Sequence, residues 1–258
     1  MKILNQELAK IKENGRSFLG IDGGNINSPI WFCGIEFGGS LEEMEKYYKS
    51  TVKDHHYIEK GFEIPYRENA GDFEGSIYDR YLSAMYINLF NNEKLQNGND
   101  TKPIEKVLKE ELYNQTSKIF KLNLYPLAKK NTGWDTDIEK ECKISEEDYY
   151  GVYFDKRKQF LQELVKEFNP DNIICSAVKN SESQFVEAFF NNEEKIEYKW
   201  SYKTLKIVSD KKKQFKISEY KQGRTTLIII PFLGMGNGNL NSYKDVIFMA
   251  DYLRNNYF

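Results

Sequence analysis

The sequence predicts an α/β fold with a mostly parallel central sheet and helices on both of its faces. Three observations carry this. Strand-length apolar runs bounded by turn residues lie at 30–33, 172–176 and 225–230. Segments with apolar residues at helical spacing separate them, as at 77–90 and 157–168. The strand-like runs are apolar at consecutive positions, as expected of strands buried on both faces. At 258 residues the chain is long enough for a substantial core, and it reads as one domain over 1–258. Within it, 1–27 forms an N-terminal helix and loop, and 129–150 an inserted surface segment.

The elements follow in order. Residues 1–14 open as a mixed-charge amphipathic helix, and Asp22-Gly23-Gly24-Asn25 reads as turn and loop. Ile30 to Cys33, between Pro29 and Gly34, is the first strand; Ser40 with Glu43 is a capping-box signature for a helix over 41–50. No clear period runs through 51–75. Residues 77–90 return to a helix with Tyr78, Tyr81, Leu82, Met85 and Leu89 on one face, 91–100 is a polar loop, and 103–113 is helical. A strand over 119–127 stops at Pro126. The segment 129–147 is charged, with Thr132-Gly133-Trp134-Asp135, and reads as an inserted surface loop or a short helical excursion. Residues 157–168 form a helix that ends at Asn169-Pro170 and passes into a strand over 172–176. A helix over 181–190, a strand over 198–208 and an edge strand over 214–220 follow, with Lys211, Lys212 and Lys213 at the turn. The last buried strand, 225–230, opens into a glycine and asparagine loop, and Ser242 caps a final helix whose Val246, Met249, Ala250, Leu253 and Tyr257 face inward.

A formal charge of −2 with 29% charged residues gives no global bias toward nucleic acid, so any DNA-binding face must be local. The amino terminus lacks the long apolar core of a signal peptide, and no stretch approaches the roughly 20 apolar residues of a membrane span. The expectation is a cytoplasmic protein without a membrane contact. Cys33, Cys142 and Cys175 are widely spaced and show no zinc-ligand pattern; Cys33 and Cys175 read as buried thiols. Adjacent His55 and His56 would not face the same way on a regular element and read as a polar loop pair.

Chemistry-bearing residues collect at strand ends, where open α/β sheets bind ligands. Glu36 sits in the glycine loop Gly34-Ile35-Glu36-Phe37-Gly38-Gly39 after the first strand, Asn123 stands near the end of the second, and the loop 234–241 follows the last. Parallel strands bring all three to one rim. A carboxylate, a planar amide and a loop of backbone N–H groups suit a nucleobase attached to a sugar and phosphate. Each also has a structural use: Glu36 as a cap for the helix near Ser40, Asn123 as a turn amide before Pro126, and Gly234-Met235-Gly236 as a permissive turn. Lysines 211–213 and Lys129-Lys130 either contact DNA phosphates or form a solvated face. Trp31, Phe37, Tyr125 and Phe232 are the rings placed to stack on a base.

These residues resemble the uracil-DNA glycosylase superfamily. Gly34-Ile35-Glu36-Phe37-Gly38 is similar to the family's first motif, G-x-[D/N/E/A]-P-[Y/G], with Phe37 in place of the proline. Leu122-Asn123-Leu124-Tyr125-Pro126 is similar to the strand end that carries its base-reading asparagine. The helix over 157–168 and the strand after it resemble those preceding the family's final motif. The likeness spans roughly residues 28–258.

The resemblance implies a three-layer α/β/α sandwich and hydrolysis of an N-glycosidic bond after the nucleotide is flipped out of DNA. Its implied catalytic residues are Glu36, holding or activating water, and Asn123, reading the base edge; the partner is DNA containing the target base. It implies no metal, no cofactor and no obligate protein partner. Gly34, Ile35, Phe37, Gly38, Tyr125 and Phe232 would line the base pocket. Gly234, Gly236, Asn237, Gly238, Asn239, Leu240 and Asn241 would contact DNA, with Leu240 as an apolar wedge. The strictest uracil-specific members carry a tyrosine where this chain has Gly38. The open position implies a damaged or 5-modified pyrimidine as substrate, such as a modified phage base. Many members have a histidine motif where this chain has Pro231-Phe232-Leu233-Gly234. That departure favours an alternative, a nucleotide- or nucleic-acid-binding protein of the same fold without the chemistry; a third reading is a nucleotide-sugar or small-nucleoside hydrolase using the same carboxylate.

Overall fold

The computed structural model describes residues 1–54, 56–59, 62–65, 76–91, 94–95, 100–130, 133–178, 180–191, 194–206, 212–236 and 239–258. In chain order the elements are α1 (Lys2–Asn14), β1 (Ile21–Gly24), β2 (Ile30–Gly34), α2 (Leu41–Asp54), β3 (His56–Glu59), β4 (Phe62–Pro65), α3 (Ile77–Phe90), α4 (Lys102–Glu110), β5 (Phe120–Asn123), α5 (Glu146–Asp148), α6 (Phe154–Phe168), β6 (Asn172–Ala177), α7 (Glu182–Phe189), β7 (Glu197–Lys206), β8 (Lys212–Gln222), β9 (Thr225–Pro231) and α8 (Tyr243–Tyr257). Seven strands form one mixed sheet in the order β1-β5-β2-β6-β9-β8-β7, while β3 and β4 pair separately.

The four central strands β5, β2, β6 and β9 are parallel, and β1, β8 and β7 join antiparallel at the two sides. The α/β expectation therefore holds, with a mixed sheet that is parallel in its centre. Alternation along the strands divides the core in two. Trp31, Cys33, Leu122, Ile173, Cys175, Leu227 and Ile229 pack with residues of α1, α2, α6 and α7. Phe32, Ile174, Ile228 and Ile230 pack with α3, α4 and α8. Cys33 and Cys175 are free buried thiols opposite one another on β2 and β6.

Several local signals read correctly. Ser40 and Glu43 form a reciprocal cap, with Ser40 N donating to Glu43 Oε2 at 2.7 Å and Glu43 N donating to Ser40 Oγ at 3.2 Å. Ser242 Oγ accepts from Asp245 N at 3.2 Å at the start of α8. Among the described residues no helix is long and apolar enough to cross a membrane.

Four expectations need correcting. Asp22-Gly23-Gly24 is strand, not loop: β1 runs against β5 through a register irregularity after Ile21. Its glycines are there because the backbones approach closely; a Cβ at Gly24 would lie 2.5 Å from the Ile119 carbonyl oxygen, at a φ of +97°. The segment 129–150 is a helical excursion rather than a loop, and it is anchored as well as exposed: Lys129, Ile138, Ile144 and Tyr149 are buried, while most of its other described positions lie at the surface. It contains two wide π-helical turns, at Ile138–Cys142 and Tyr149–Tyr153, and the second runs directly into α6. The edge strand is β7 and not β8, which lies between β7 and β9. The misreading arises because β8 pairs with β9 only over Ser218–Gln222, so the rest of the β7–β8 hairpin extends past β9 with edge-like lysines. Finally, Trp31 is fully buried, so it is a core ring and not a stacking surface. The expected loop at His55 and the lysine Lys211 lie outside the described residues, as does the side chain of His56.

Candidate active site at the carboxyl rim of the sheet

The parallel order β5-β2-β6-β9 has its switch point at β2, from which the chain steps first to one side and then to the other. Crevices at such points, beyond the carboxyl ends of the strands, are where doubly wound sheets bind ligands. The loop with Glu36, the Asn123 strand end and the loop after β9 all leave from this rim, as the sequence predicts.

Past the end of the ladder, the chains leaving β2 and β5 stay fastened together. Leu124 N donates to Gly34 O at 2.9 Å, Tyr125 N to Ile35 O at 2.8 Å and Lys129 N to Phe37 O at 3.1 Å. Gly38 and Lys129 then form an isolated parallel bridge. The glycine loop is thus a stitched ribbon rather than a free turn. Ile35 and Phe37 are half-buried against the α6-side core, and Phe37 packs on Tyr47 with ring centroids 5.5 Å apart. Gly38 is exposed, and a Cβ there would meet nothing within 4 Å.

Glu36 is turned toward the α6 side. Its side chain is 14% exposed, and Oε2 lies 3.1 Å from Lys129 Nζ, itself buried. Lys129 Nζ also donates to Tyr150 Oη at 2.7 Å. Tyr125, Tyr149, Tyr150 and Trp134 stack around this pair; Tyr125 and Tyr149 lie 5.7 Å apart and nearly parallel. Burial pushes the Glu36 pKa up from 4.5 to about 7, the Lys129 ammonium pulls it back, and Asp135 adds to the rise. Burial lowers the Lys129 pKa, but Tyr150 and Glu36 outweigh it, so the net shift is upward. A carboxyl group with such a pKa exists in both protonation states near neutrality, which suits a proton-transfer role.

Asn123 is turned the other way, toward α3. It is buried, and its Nδ2 donates to Asp22 Oδ2 at 2.9 Å. Lys121, two residues back on the same face, is buried and ion-paired with the same Asp22 oxygen. Gly34 is the register partner of Asn123, and a Cβ at Gly34 would come within 2.6 Å of Asn123 Oδ1 and 3.6 Å of the Tyr78 hydroxyl. Glycine at 34 therefore makes room for the amide. Asp22 Oδ1 and the Tyr78 hydroxyl are buried without a hydrogen-bond partner among the described residues. Below the rim, Arg157 is fully buried and one Nη2 donates to both Gly20 O, at 3.2 Å, and Asn123 O, at 3.1 Å. Burial lowers its pKa to about 10.

The structure brings Glu36 and Asn123 to one rim but points them at different partners. The other expected site residues divide similarly. Tyr125 is buried in the aromatic cluster beside Glu36. Phe232 is half-buried, 5.9 Å from the Tyr78 ring, and Gly234 lies against it. In the last loop, Asn239 Nδ2 donates to Met235 O at 2.7 Å and Asn241 Nδ2 to Gly236 O at 2.9 Å, so these amides brace the loop. Asn237 and Gly238 lie outside the described residues. Leu240 is fully buried in the α8-side core, its N donating to Phe232 O at 2.9 Å, so it is not a wedge. Met235, 70% exposed, is the apolar side chain this loop presents.

Sequence reasoning passed over Lys121 and Arg157, read Asp22 as a turn residue, and read Lys129 as a phosphate contact or part of a solvated face, whereas Lys129 is buried and paired with Glu36. Two of them left a trace: Lys121 stands between Phe120 and Leu122 in a strand-like run, and Arg157 occupies a position of the apolar stripe continued by Phe160, Leu161 and Leu164. A charge in a core position needs a partner, and that need was the readable signal. No family model matches this sequence, and no curated protein matches it.

Two outcomes are expected from the charges. Glu36 holds a proton in the folded state up to about pH 7 that the unfolded chain releases near 4.5, so its contribution to stability is present below 4.5 and is lost as pH rises through 7. Glu36→Gln should remove that decline and gain about 2–3 kcal/mol on the wild type above pH 7.5; urea unfolding at a series of pH values measures it. Lys121→Met should cost about 3–5 kcal/mol by stranding the buried Asp22 carboxylate, and adding Asp22→Asn should recover most of the loss. A double-mutant cycle by chemical unfolding reads both.

Proposed function

We propose that the chain is a cytoplasmic DNA glycosylase built on the three-layer α/β/α sandwich of the uracil-DNA glycosylase superfamily, hydrolysing the N-glycosidic bond of a damaged or 5-modified pyrimidine. The observation that carries this reading is Glu36: a carboxyl group in a stitched glycine loop at the switch point of a parallel sheet, with its pKa brought to about 7 by burial. In its ionised form Glu36 takes a proton from water as the water oxygen bonds to C1′ of the sugar. The bond from C1′ to the base nitrogen breaks, its electron pair leaves with the base, and the proton passes on to the base. The negative carboxylate also stabilises the oxocarbenium character of the sugar. Lys129 holds the carboxylate in place and raises the ionised fraction.

Asn123 fits the base-reading role by its place beside Gly34. Its Nδ2 is bound to Asp22, so Asp22 fixes which way the amide faces. Phe232 and Tyr78 supply ring surface at the same rim. The open position at Gly38 supports a pyrimidine with a 5-substituent, including the bulky bases of modified phage DNA. The engagement of Asn123 favours a second reading, a nucleic-acid-binding protein of the same fold without base release.

Base release from oligonucleotides bearing uracil, mismatched thymine, 5-hydroxymethylcytosine and its glucosylated form separates these. A preference for one of the 5-modified bases is expected; a preference for plain uracil overturns the substrate assignment, and no release from any substrate favours the binding protein. Glu36→Gln should lower release by between about a hundredfold and ten-thousandfold while leaving DNA binding intact. The wild-type rate should climb with pH through a midpoint near 7 to a plateau, since the ionised carboxylate is the active form.

A further inference from the structure

We propose that the α3 side of the rim is a pocket for the amino edge of a 4-aminopyrimidine, so that among 5-modified bases the chain takes cytosine derivatives and rejects uracil derivatives. This deepens the glycosylase reading and rests on it for the choice of a pyrimidine; the hydrogen-bonding preference itself comes from Asp22, Lys121, Asn123 and Tyr78.

Charge sets the orientation of the amide. Lys121, buried on β5, is ion-paired with Asp22 Oδ2, which makes Asp22 a carboxylate that can only accept. Asn123 meets the same oxygen at 2.9 Å, so the end of its amide turned to Asp22 must be Nδ2. Oδ1 is left on the side of Gly34, where it and the Tyr78 hydroxyl both lie within 3.6 Å of the point a Gly34 Cβ would occupy. Asn123 Oδ1 makes no hydrogen bond among the described residues. Asp22 Oδ1 and the Tyr78 hydroxyl, both buried, are also without a partner there. Lys121 Nζ lies 5.0 Å from the centroid of the Tyr78 ring, so the four side chains form one cluster. Buried polar groups are rarely left unfilled, and three in one cluster point to a ligand.

The unfilled set consists of two acceptors and one hydroxyl. A 4-amino group brings two N–H donors, and N3 beside it accepts from the hydroxyl. A uracil-type base instead turns its 4-oxo oxygen toward oxygens that can only accept. An amide free to turn would suit either base, but Asp22 and Lys121 hold this one in a single orientation. Sites of this kind discriminate strongly, because the wrong base strands their own buried groups. Phe232, its ring 5.9 Å from that of Tyr78, offers an apolar face to the base. Adenine carries the same pair of atoms on a larger ring, so the commitment to cytosine comes from the pyrimidine reading.

Binding by the Glu36→Gln protein tests this without base release. Fluorescein-labelled duplexes carry one 5-hydroxymethylcytosine, 5-hydroxymethyluracil or adenine opposite an abasic position, so that flipping breaks no base pair. Anisotropy should show the 5-hydroxymethylcytosine duplex bound at least about tenfold more tightly than the 5-hydroxymethyluracil duplex. Adding Asp22→Asn with Lys121→Met frees the Asn123 amide to turn and should bring the two affinities within about twofold of each other. Tyr78→Phe, which keeps the ring, should weaken binding of the 5-hydroxymethylcytosine duplex about fivefold. Equal binding of the two pyrimidine duplexes, no binding of either, or a preference for 5-hydroxymethyluracil overturns the proposal. So does a preference that survives both Asp22→Asn with Lys121→Met and Tyr78→Phe undiminished, and tightest binding of the adenine duplex overturns the assignment to cytosine. The glycosylase reading fails separately, if the wild type releases neither pyrimidine while the preference in binding persists.

Discussion

The main-chain bonds that hold residues 34–38 against 124–129 decide what the rim of this sheet can do. A loop of three glycines in six residues is a poor scaffold by itself, because each glycine loses more freedom on ordering than any other residue. Here its order is supplied from the β5 side, one amide at a time, so that loop and strand exit become rigid together. Glu36 is then fixed relative to Lys129 by backbone, not only by the attraction between their charges. Exposed ion pairs held by side chains alone contribute little and move readily. A pair set by backbone and enclosed by rings keeps its geometry.

Buried charge is the second organising constraint. Asp22, Lys121 and Arg157 sit inside the molecule near the ends of β1 and β5, where isolated charges would be costly. Lys121 answers Asp22 directly, and Arg157 answers main-chain oxygens of Gly20 and Asn123. Such groups are poor sources of stability but strong sources of specificity in register. A β5 slipped by one residue would turn Lys121 to the α6-side core and Asn123 away from Asp22. The polar cluster thereby fixes the same register that the stitched loop requires.

Much of the fold was legible because it rests on periodicity. Helices α3, α6 and α8 and strands β2, β6 and β9 were readable from apolar spacing and from capping residues such as Ser40 and Ser242. What escaped rests on long-range partners. Asp22-Gly23-Gly24 has turn composition, and only close contact with Ile119 and Phe120 makes it a strand. The charged stretch after Lys129 resembles a surface loop until Ile138, Ile144 and Tyr149 are seen in the core. In the candidate site, the strand-end positions of Glu36 and Asn123 were readable and their orientations were not. Orientation depends on Lys129 and Asp22, which lie about ninety to a hundred residues away in sequence.

The wide turn at Tyr149–Tyr153 carries a consequence for how the chain tolerates insertion and deletion. Tyr149 accepts from Leu127 N, Tyr150 from Lys129 Nζ, and Arg157 reaches Gly20 and Asn123 from the same continuous helical stretch. Loss of one residue would be taken up by a return to ordinary helical winding, whereas gain of one in the following turn of α6 would rotate one group of contacts against the other by roughly 100°. The tyrosines and the arginine could not then both face the sheet. Along this stretch a one-residue insertion would do more harm than most substitutions, while a one-residue gap can be absorbed by the wide turn.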